Sequence, residues 1–424
     1  MNHTDPQLRN QKIYRDFATC EAACFAVCGE SLLILIAIHF GFGDAFSTMI
    51  GSFLYLSYLV LPAGYYFAAK MGVAKSIAFQ TMISVLGVLF MILAVLIFGI
   101  SRDWAGCLLT FGTVLFFFTK SSASAMVFPL QANISNNQNR PHMLGEIAAW
   151  SHAAALLTTL AGSLILHLFK NEWTYPGLLI GGGVLGVLGA LRIRTMKEPE
   201  ILRQIAGRPI LPQILLSWRD PGIRKQLILG VCLNLSLIML IPVEMLAVKR
   251  GGHFSDSHVT ALWAVKVVAS IAGASLWSFL TRRFGSGKVI SGSALLIPLL
   301  CLYWLTVPVP LLSRTVFLPF LISGLMVVFY SNSLMDVFMQ TVLPRKQQGG
   351  SLLVLVVTGG IAGVAGIGLN AFIFSVLEYF RDQGTGDMFS YRLYFLTALL
   401  FFLPVVFLIK KFLPESVKIS RKLK

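Results

Sequence analysis

Charged side chains are scarce in this sequence. Only 12% of its 424 residues are Asp, Glu, Lys or Arg, and 56% are hydrophobic. An ordinary soluble domain carries about 25% charged residues. The mean hydropathy is +0.77. This balance excludes a soluble globular enzyme and indicates a chain that lies mostly in lipid.

Other chemical signatures are missing as well. The six cysteines all lie inside apolar segments, so they form neither an extracellular disulfide framework nor a zinc knuckle. The sequence has no glycine-rich loop ending in Lys-Ser or Lys-Thr that would cradle a phosphate, and no soluble domain that would house an ATPase. We therefore expect no cofactor, no metal and no ATP-driven step.

Long apolar runs are what the sequence does have. Each run is about 20 residues long, which is the length that crosses roughly 30 Å of hydrocarbon. Gly, Pro or charged residues separate the runs, so the predicted fold class is an all-α, polytopic membrane protein with twelve transmembrane helices. The predicted spans are 17–40, 46–69, 76–100, 104–130, 145–168, 175–195, 227–248, 258–281, 288–306, 315–342, 351–378 and 391–412.

The basic residues predict the orientation. If both termini are cytoplasmic, 25 of the 34 Lys and Arg residues fall in cytoplasmic segments, as the positive-inside rule requires. This distribution accounts for most of the net charge of +16, so nucleic acid is not an expected partner. We expect a multi-pass protein of the plasma (inner) membrane, monomeric and surrounded by lipid.

The chain divides into two similar halves. The longest interior polar segment, 196–226, separates residues 1–195 from residues 227–424, and each half holds six predicted spans. An internal duplication repeats at a fixed offset. Gly72 and Gly285 follow the second and eighth spans at an offset of 213, and Asp44 and Asp256 precede the same spans at an offset of 212.

Two short turns carry a family resemblance. The segments 66–75 and 279–288 are similar to the Gly-x-Leu-Ala-Asp-Arg-x-Gly-Arg-Arg signature of the major facilitator superfamily. The first copy keeps Lys70 and Gly72 but has Ala69 at the usual Asp position, where the second copy has Arg282. The resemblance implies that conformational gating involves the residues Lys70, Gly72, Arg282, Arg283 and Gly285.

The resemblance also implies an architecture. Proteins of this superfamily have two parallel six-span halves with a binding site near the midplane at their interface. Spans 1, 4, 7 and 10 line the cavity in such folds. These are the spans in which we look for substrate-binding chemistry.

Several charged residues lie within predicted spans. An ionised side chain at the bilayer centre costs about 2.5–3.5 kcal/mol on insertion scales, so one that persists faces a partner or a wet cavity. Each is interpreted either as a structural ion pair or as a substrate- or proton-binding group. The residues are Glu30 in span 1, Lys120 in span 4, Glu244 in span 7, Lys266 in span 8 and Asp336 in span 10.

Helical spacing groups some of these residues with other polar side chains. At 100° per residue, Lys120 shares a face of span 4 with Thr113 and Gln131. On span 10, Asp336 shares a face with Asn332 and Gln340. Lys120 and Asp336 therefore have opposite charges on related spans, and this predicts either an ion pair that breaks and re-forms during transport or a static pair.

Two further assignments concern spans 8 and 1. Trp263 shares a face with Lys266, which would suit a carboxylate, a phosphate or a sugar ring, although a tryptophan at this place is equally an interfacial anchor. Glu21 lies near the predicted cytoplasmic end of span 1, where its side chain can snorkel to the interface. We therefore expect Glu21 to contribute little.

The predicted function is secondary active transport. The expected cargo is a small polar or anionic organic solute, moved by alternating access and coupled to protons through Glu30 or Asp336, with sodium as the other candidate ion. The alternative on the same fold is an exporter or flippase of amphiphilic compounds. A membrane sensor or enzyme is the third interpretation, and the spans hold no His/Asp or Ser/His constellation that would support an enzyme.

Overall fold

The structure is a computed structural model of the whole chain. It describes residues 6–135, 140–169, 171, 173–198, 200–207, 212, 218–219, 221–311, 313–341, 354, 356–381 and 387–412. The chain divides into two compact units, of which unit 1 comprises Met1–Phe42 and Ser57–Arg208, and unit 2 comprises Gly43–Leu56 and Pro209–Lys424.

In the described residues of unit 1, all regular secondary structure is helical. Its helices are α1 (Pro6–Cys28), α2 (Glu30–His39), α4 (Leu61–Met71), α5 (Val73–Ile97), α6 (Arg102–Ser124), α7 (Val127–Asn133), α8 (Arg140–Leu168), α9 (Thr174–Arg194) and α10 (Glu200–Ala206). A 3₁₀ turn at Ser57–Val60 precedes α4.

Unit 2 begins with a helix from the first half of the sequence, α3 (Asp44–Leu56). Its other helices are α11 (Pro221–Leu246), α12 (Asp256–Phe284), α13 (Ser286–Ser293), α14 (Leu296–Thr306), α15 (Ser313–Thr341), α16 (Ala362–Arg381) and α17 (Asp387–Phe412). The described part of unit 2 also contains the π-helical turns Ala247–Gly251 after α11 and Val356–Ile361 before α16.

Twelve helical stretches of the described chain are long and apolar enough to cross a membrane, which confirms the predicted number of spans. We number them spans 1 to 12: Gln7–His39, Asp44–Met71, Val73–Ile97, Arg102–Gln131, His142–Leu168, Thr174–Arg194, Pro221–Gly251, Asp256–Phe284, Gly287–Thr306, Arg314–Leu334, Val356–Glu378 and Met388–Phe407.

One segment from the first half of the sequence belongs to unit 2. Residues 43–56 precede the predicted boundary at 195, yet they pack in unit 2 because α3 lies against α16 and α11. A side chain added at Gly363 would place its Cβ 2.7 Å from the backbone nitrogen of Leu56. The absence of a side chain there allows α3 to approach so closely. The linker 196–226 stays a prediction.

Two glycines show the internal repeat in the backbone. Gly72 has φ 90° and ψ 160°, and Gly285 has φ 79° and ψ 151°. Each ends one helix and begins the next, at the turn between spans 2 and 3 and at the turn between spans 8 and 9. These dihedral angles are open to glycine and strained for other residues. The repeat offset of 213 therefore corresponds to a shared turn geometry.

Span 7 contains a proline whose effect on the helix is compensated by neighbouring spans. Pro242 has no N–H to donate to the carbonyl of Ile238. Asn370 Nδ2 donates to that carbonyl at 3.3 Å, and the Tyr394 hydroxyl donates to the carbonyl of Met239 at 2.9 Å. Tyr394 and Asn370 also contact each other through their polar side-chain atoms. Side chains of spans 11 and 12 thus satisfy the backbone of span 7.

Candidate functional site

A partly buried ion pair joins spans 1 and 4 within unit 1. Lys120 Nζ contacts Glu21 Oε2, and the two side chains are 10% and 19% exposed. The Lys120 ammonium also lies 5.1 Å from the centre of the Phe116 ring. Because lipid and packed helices offer few hydrogen-bonding partners, each charge depends on the other for its compensation.

Glu21 has a second oxygen that is not used by the lysine. Oε1 is buried and accepts no hydrogen bond from the described residues. An ionised carboxylate has lone pairs on both oxygens. The ion pair therefore retains one acceptor for a proton or for a donor group of a solute.

Glu21 has a partner that the sequence-based interpretation did not assign to it, because its carboxylate pairs with Lys120. Helix α1 begins at Pro6, about eleven residues before the predicted start of span 1 at residue 17. The prediction placed Glu21 at the cytoplasmic end and left Lys120 with Asp336 as its candidate partner. The polar run of residues 7–16 concealed the true start of the helix.

Aromatic and thiol side chains surround the ion pair. Phe25 lies 5.8 Å from Phe117, and Phe116 lies 5.2 Å from Phe117, measured between ring centroids. Cys24 is fully buried and interacts with the side chains of Lys120 and Cys28. No group of three metal-ligating residues occurs within the described chain. The charged groups of this site are one ammonium and one carboxylate, with the Cys24 thiol beside the ammonium.

A second charged network ties span 1 to spans 5 and 6. Arg192 donates to Asp16 Oδ2 from Nε at 3.0 Å and from Nη2 at 2.8 Å. Arg15 pairs with Glu146 at 2.5 Å. These side chains are 26% to 41% exposed, so this network is more open to water than the pair of Lys120 and Glu21, and we interpret it as structural.

Glu30 lies at a break in span 1. The break is at Gly29, and Glu30 is the first residue of α2, with 7% of its surface exposed. A carboxylate at a helix N-terminus is stabilised by the helix dipole and the free backbone N–H groups. The sequence predicted the residue but not the break, because glycine within an apolar run is also common in continuous spans.

The predicted charged residues of unit 2 occupy different environments. Glu244 is almost fully buried in span 7, with 1% exposure, and Lys266 is buried in span 8. Lys266 Nζ lies 3.5 Å from the centre of the Trp263 ring, a cation–π geometry. Trp263 therefore contacts Lys266, in agreement with the predicted shared face, and its role in binding a solute stays a prediction.

The polar face of span 10 is only partly described. Asn332 and Asp336 are half-buried, and the side chain of Gln340 lies outside the described residues. Ser333 is buried and accepts a hydrogen bond from Trp277 Nε1 at 3.0 Å. This bond links the face of span 10 to span 8.

The first predicted gating turn is held by the segment that follows span 6. Glu198 Oε2 accepts a hydrogen bond from the backbone N–H of Ala74 at 2.8 Å. Arg203 donates to the carbonyls of Ala69 at 2.9 Å and Lys70 at 2.7 Å. Burial raises the pKa of Glu198, and hydrogen bonds from the helix N-terminus oppose this rise. Both helix ends at Gly72 are thus capped from outside the turn.

The cations of these turns are mostly solvent-facing. Lys70 bonds to the Tyr66 hydroxyl one turn earlier in its own helix. Arg282 donates to the carbonyl of Ser278 at 3.4 Å, and the Arg283 guanidinium lies 5.4 Å from the centre of the Phe284 ring. Each of these contacts is local to one helix. The role of the turns in gating stays a prediction.

These features define an integral, multi-pass membrane protein with buried charges inside its helical units, and comparisons identify its family. The model of the Major Facilitator Superfamily matches residues 21–367. The chain belongs to this superfamily, and it is a transporter rather than an enzyme. The comparison with curated proteins found no match.

Solved structures share the fold at low sequence identity. A variant of the nucleoside transporter NupG has a TM-score of 0.74 and 13% identity, with 96% of this chain and 100% of that chain covered. A POT family peptide transporter in an autoinhibited form has a TM-score of 0.67 and 15% identity, with 95% and 97% covered. The xylose transporter XylE from E. coli has a TM-score of 0.63 and 13% identity, with 94% and 99% covered. At such identities the likeness establishes the fold alone.

Proposed function

We propose that this protein is a proton-coupled secondary transporter of a small anionic organic solute. In this proposal Lys120 binds the anionic group of the solute, and Glu21 carries the coupled proton. The observation that supports the proposal is the partly buried ion pair, in which one carboxylate oxygen is bound to the lysine and the other accepts no hydrogen bond from the described residues.

Competition for Lys120 would couple the two movements. A solute carboxylate or phosphate that binds Lys120 displaces Glu21 from its cation. A carboxylate that loses its cation in a desolvated site favours the neutral form, so Glu21 takes a proton from water. When the solute leaves, the proton is released and the ion pair re-forms. Solute and proton then move together, and the buried site never carries an uncompensated charge.

The aromatic side chains around the pair fit an organic solute better than an inorganic ion. The Phe116 ring lies beside the ammonium group, and Phe25 and Phe117 pack against that ring. Binding sites for small molecules commonly combine such surface with a few polar groups that fix orientation. NupG is a nucleoside transporter and XylE a xylose transporter, and these neutral solute classes serve as the contrasting group in the test below.

Glu30 and Asp336 remain candidates for a second proton-binding site. Both are carboxylates within spans, and Glu30 is buried at the break in span 1. We assign the coupled proton to Glu21 because the structure identifies Lys120 as the cation that pairs with it. We further propose a plasma-membrane location with cytoplasmic termini, following the distribution of basic residues, and a monomeric state.

A thermal-shift screen of the purified protein tests the solute class. A ligand that binds only the native state raises the apparent stability, by about 2.7 kcal/mol at one hundred times its Kd. The panel contains organic carboxylates, organic phosphates, nucleosides, sugars and amphiphilic drugs. We expect at least one organic anion to stabilise the wild type and to lose this effect in Lys120→Gln.

The matched control is Lys12→Gln, which removes an exposed lysine from the same helix that carries Glu21. We expect this variant to respond to the anion as the wild type does. Stabilisation by neutral nucleosides or sugars that persists in Lys120→Gln would contradict the proposed solute class. Stabilisation by amphiphiles alone would favour the exporter.

A further inference from the structure

A groove lies between spans 3 and 6 on the surface of unit 1. It has a volume of about 260 Å³, and all of its lining residues are apolar. Val88, Leu179 and Gly183 are buried and form its floor. Leu89 and Val184 are 51% and 53% exposed and form its rims. We call this feature the unit 1 groove.

Gly183 keeps the groove open. A Cβ added there would lie 3.6 Å from Val88 Cγ1 and 3.9 Å from Val85 Cγ1, which is ordinary van der Waals contact. A larger side chain at this position would therefore fill the groove without displacing the backbone. Gly181 lies on the same helix outside the lining, and a Cβ added there would meet no described atom within 4 Å. The two glycines thus form a matched pair for substitution.

The groove lies at the depth of lipid acyl chains. Span 6 has 21 residues and is about 31 Å long, which is close to the thickness of the hydrocarbon core. The lining residues of span 6, from Leu179 to Leu188, occupy the middle of this length. Because water is absent from the hydrocarbon core, the groove is filled either by a lipid chain or by another helix.

Cations lie at the end of spans 3 and 6 that is predicted to be cytoplasmic. Arg194 is exposed and follows the lining residue Val187 by seven residues, so the two lie within about 20° of each other around the helix. Lys75 is exposed and precedes Leu89 by fourteen residues, which places the two within about 40°. The Glu198 carboxylate lies near Lys75, so Arg194 is the stronger of the two anion-binding groups.

We propose that the unit 1 groove binds one acyl chain of an anionic phospholipid, whose phosphate contacts Arg194 and Lys75. Leu188, where the groove begins, lies about 9 Å along the helix axis from Arg194. This distance is shorter than half of the hydrocarbon core, about 15 Å, so a chain of the cytoplasmic leaflet reaches the groove. Basic residues at the cytoplasmic ends of transmembrane helices attract anionic headgroups.

Charge complementarity favours a lipid over a second copy of the chain. Two copies related by a twofold axis along the membrane normal would place the same residues against each other. Arg194 and Lys75 of one copy would then face the same cations of the other, which is repulsive. An anionic lipid instead neutralises these cations. The proposed binding does not depend on the transported solute or on the coupled ion.

Native mass spectrometry of the delipidated full-length protein tests this proposal. The protein is titrated with phosphatidylglycerol or phosphatidylcholine that have the same acyl chains. We expect the wild type to bind the first phosphatidylglycerol about fivefold more tightly or better, since one basic residue near the headgroup contributes about 1 kcal/mol. Arg194→Gln should remove about fivefold of affinity for phosphatidylglycerol and leave phosphatidylcholine unchanged.

Filling the groove should act on the chain rather than on the headgroup. We expect Gly183→Leu to weaken both lipids by the same factor, about threefold or more, because the chain loses its contacts with the floor. Gly181→Leu should bind both lipids as the wild type does. If Gly183→Leu fails to fold, Val184→Phe replaces it, since Val184 lines the groove from an exposed position.

A control for the headgroup is Arg224→Gln, which removes an exposed arginine from the start of span 7 in unit 2 and should leave both affinities unchanged. Equal affinity of the wild type for the two lipids would contradict the proposal, as would wild-type affinity in the groove-filling variant. Dimers of the wild type that disappear in Gly183→Leu would assign the groove to a second copy. Glycerol phosphate has no chains, and its competing as well as phosphatidylglycerol would assign the cations to a soluble anion.

Discussion

Replacing Lys120 with methionine should lower the free energy of unfolding by about 3–5 kcal/mol, because Glu21 would keep a buried charge without its cation. Replacing both residues, as Lys120→Met with Glu21→Leu, should restore most of this loss, since apolar side chains of similar volume pack in place of a buried ion pair at little cost. The measurement is unfolding by SDS in mixed micelles, followed by circular dichroism.

The double variant separates stability from transport. We expect it to be nearly as stable as the wild type and unable to accumulate solute, because the two groups that we propose bind solute and proton are both gone. Lys12→Met is the control, and an exposed surface position should change stability by no more than about 0.5 kcal/mol. If Lys120→Met is as stable as this control, the pair is hydrated rather than buried, and the argument for its coupling role fails.

Asn370→Leu should destabilise the protein by about 1–3 kcal/mol, because the carbonyl of Ile238 would remain buried without a donor. The carbonyl lacks a backbone partner only because residue 242 is proline. Combining Asn370→Leu with Pro242→Ala gives that carbonyl a backbone N–H at position 242. The second substitution should therefore recover about 1 kcal/mol or more of the loss caused by the first.

The control for this cycle uses another proline within a helix. Pro319 lies inside α15, and Asn370 caps none of the carbonyls that it frees. Combining Asn370→Leu with Pro319→Ala should give additive effects on the free energy of unfolding. Additive effects in the cycle with Pro242→Ala would show that Asn370 does not act through the carbonyl that Pro242 leaves without a backbone donor.

The sequence predicted the fold well because lipid imposes strong rules. A transmembrane span must be long and apolar, so the number of spans could be predicted by counting such runs in the sequence. Gly72 and Gly285 marked the repeat because a turn with positive φ selects glycine in both halves. These features depend on local geometry and on the solvent, which the sequence displays directly.

The candidate site was less predictable because it depends on contacts between spans. Lys120 was identified as a residue that needs a partner, but Glu21 was not identified as that partner, since their contact depends on how spans 1 and 4 pack together. Asp44 was noted only as a marker of the repeat. Its contact with Arg250 requires knowing that α3 packs against span 7, and no periodicity within one helix contains that information.

Proton movement driven by the solute tests the central claim most directly. Proteoliposomes that enclose a pH-sensitive dye receive an inward gradient of the organic anion found in the screen, with equal pH on both sides. The wild type should acidify the interior as solute enters. Glu21→Gln should still exchange labelled for unlabelled solute, because exchange requires only that the loaded carrier reorient, and should cause no acidification. Acidification by Glu21→Gln at the wild-type rate, or solute entry through the wild type without acidification, would contradict proton coupling through this carboxylate.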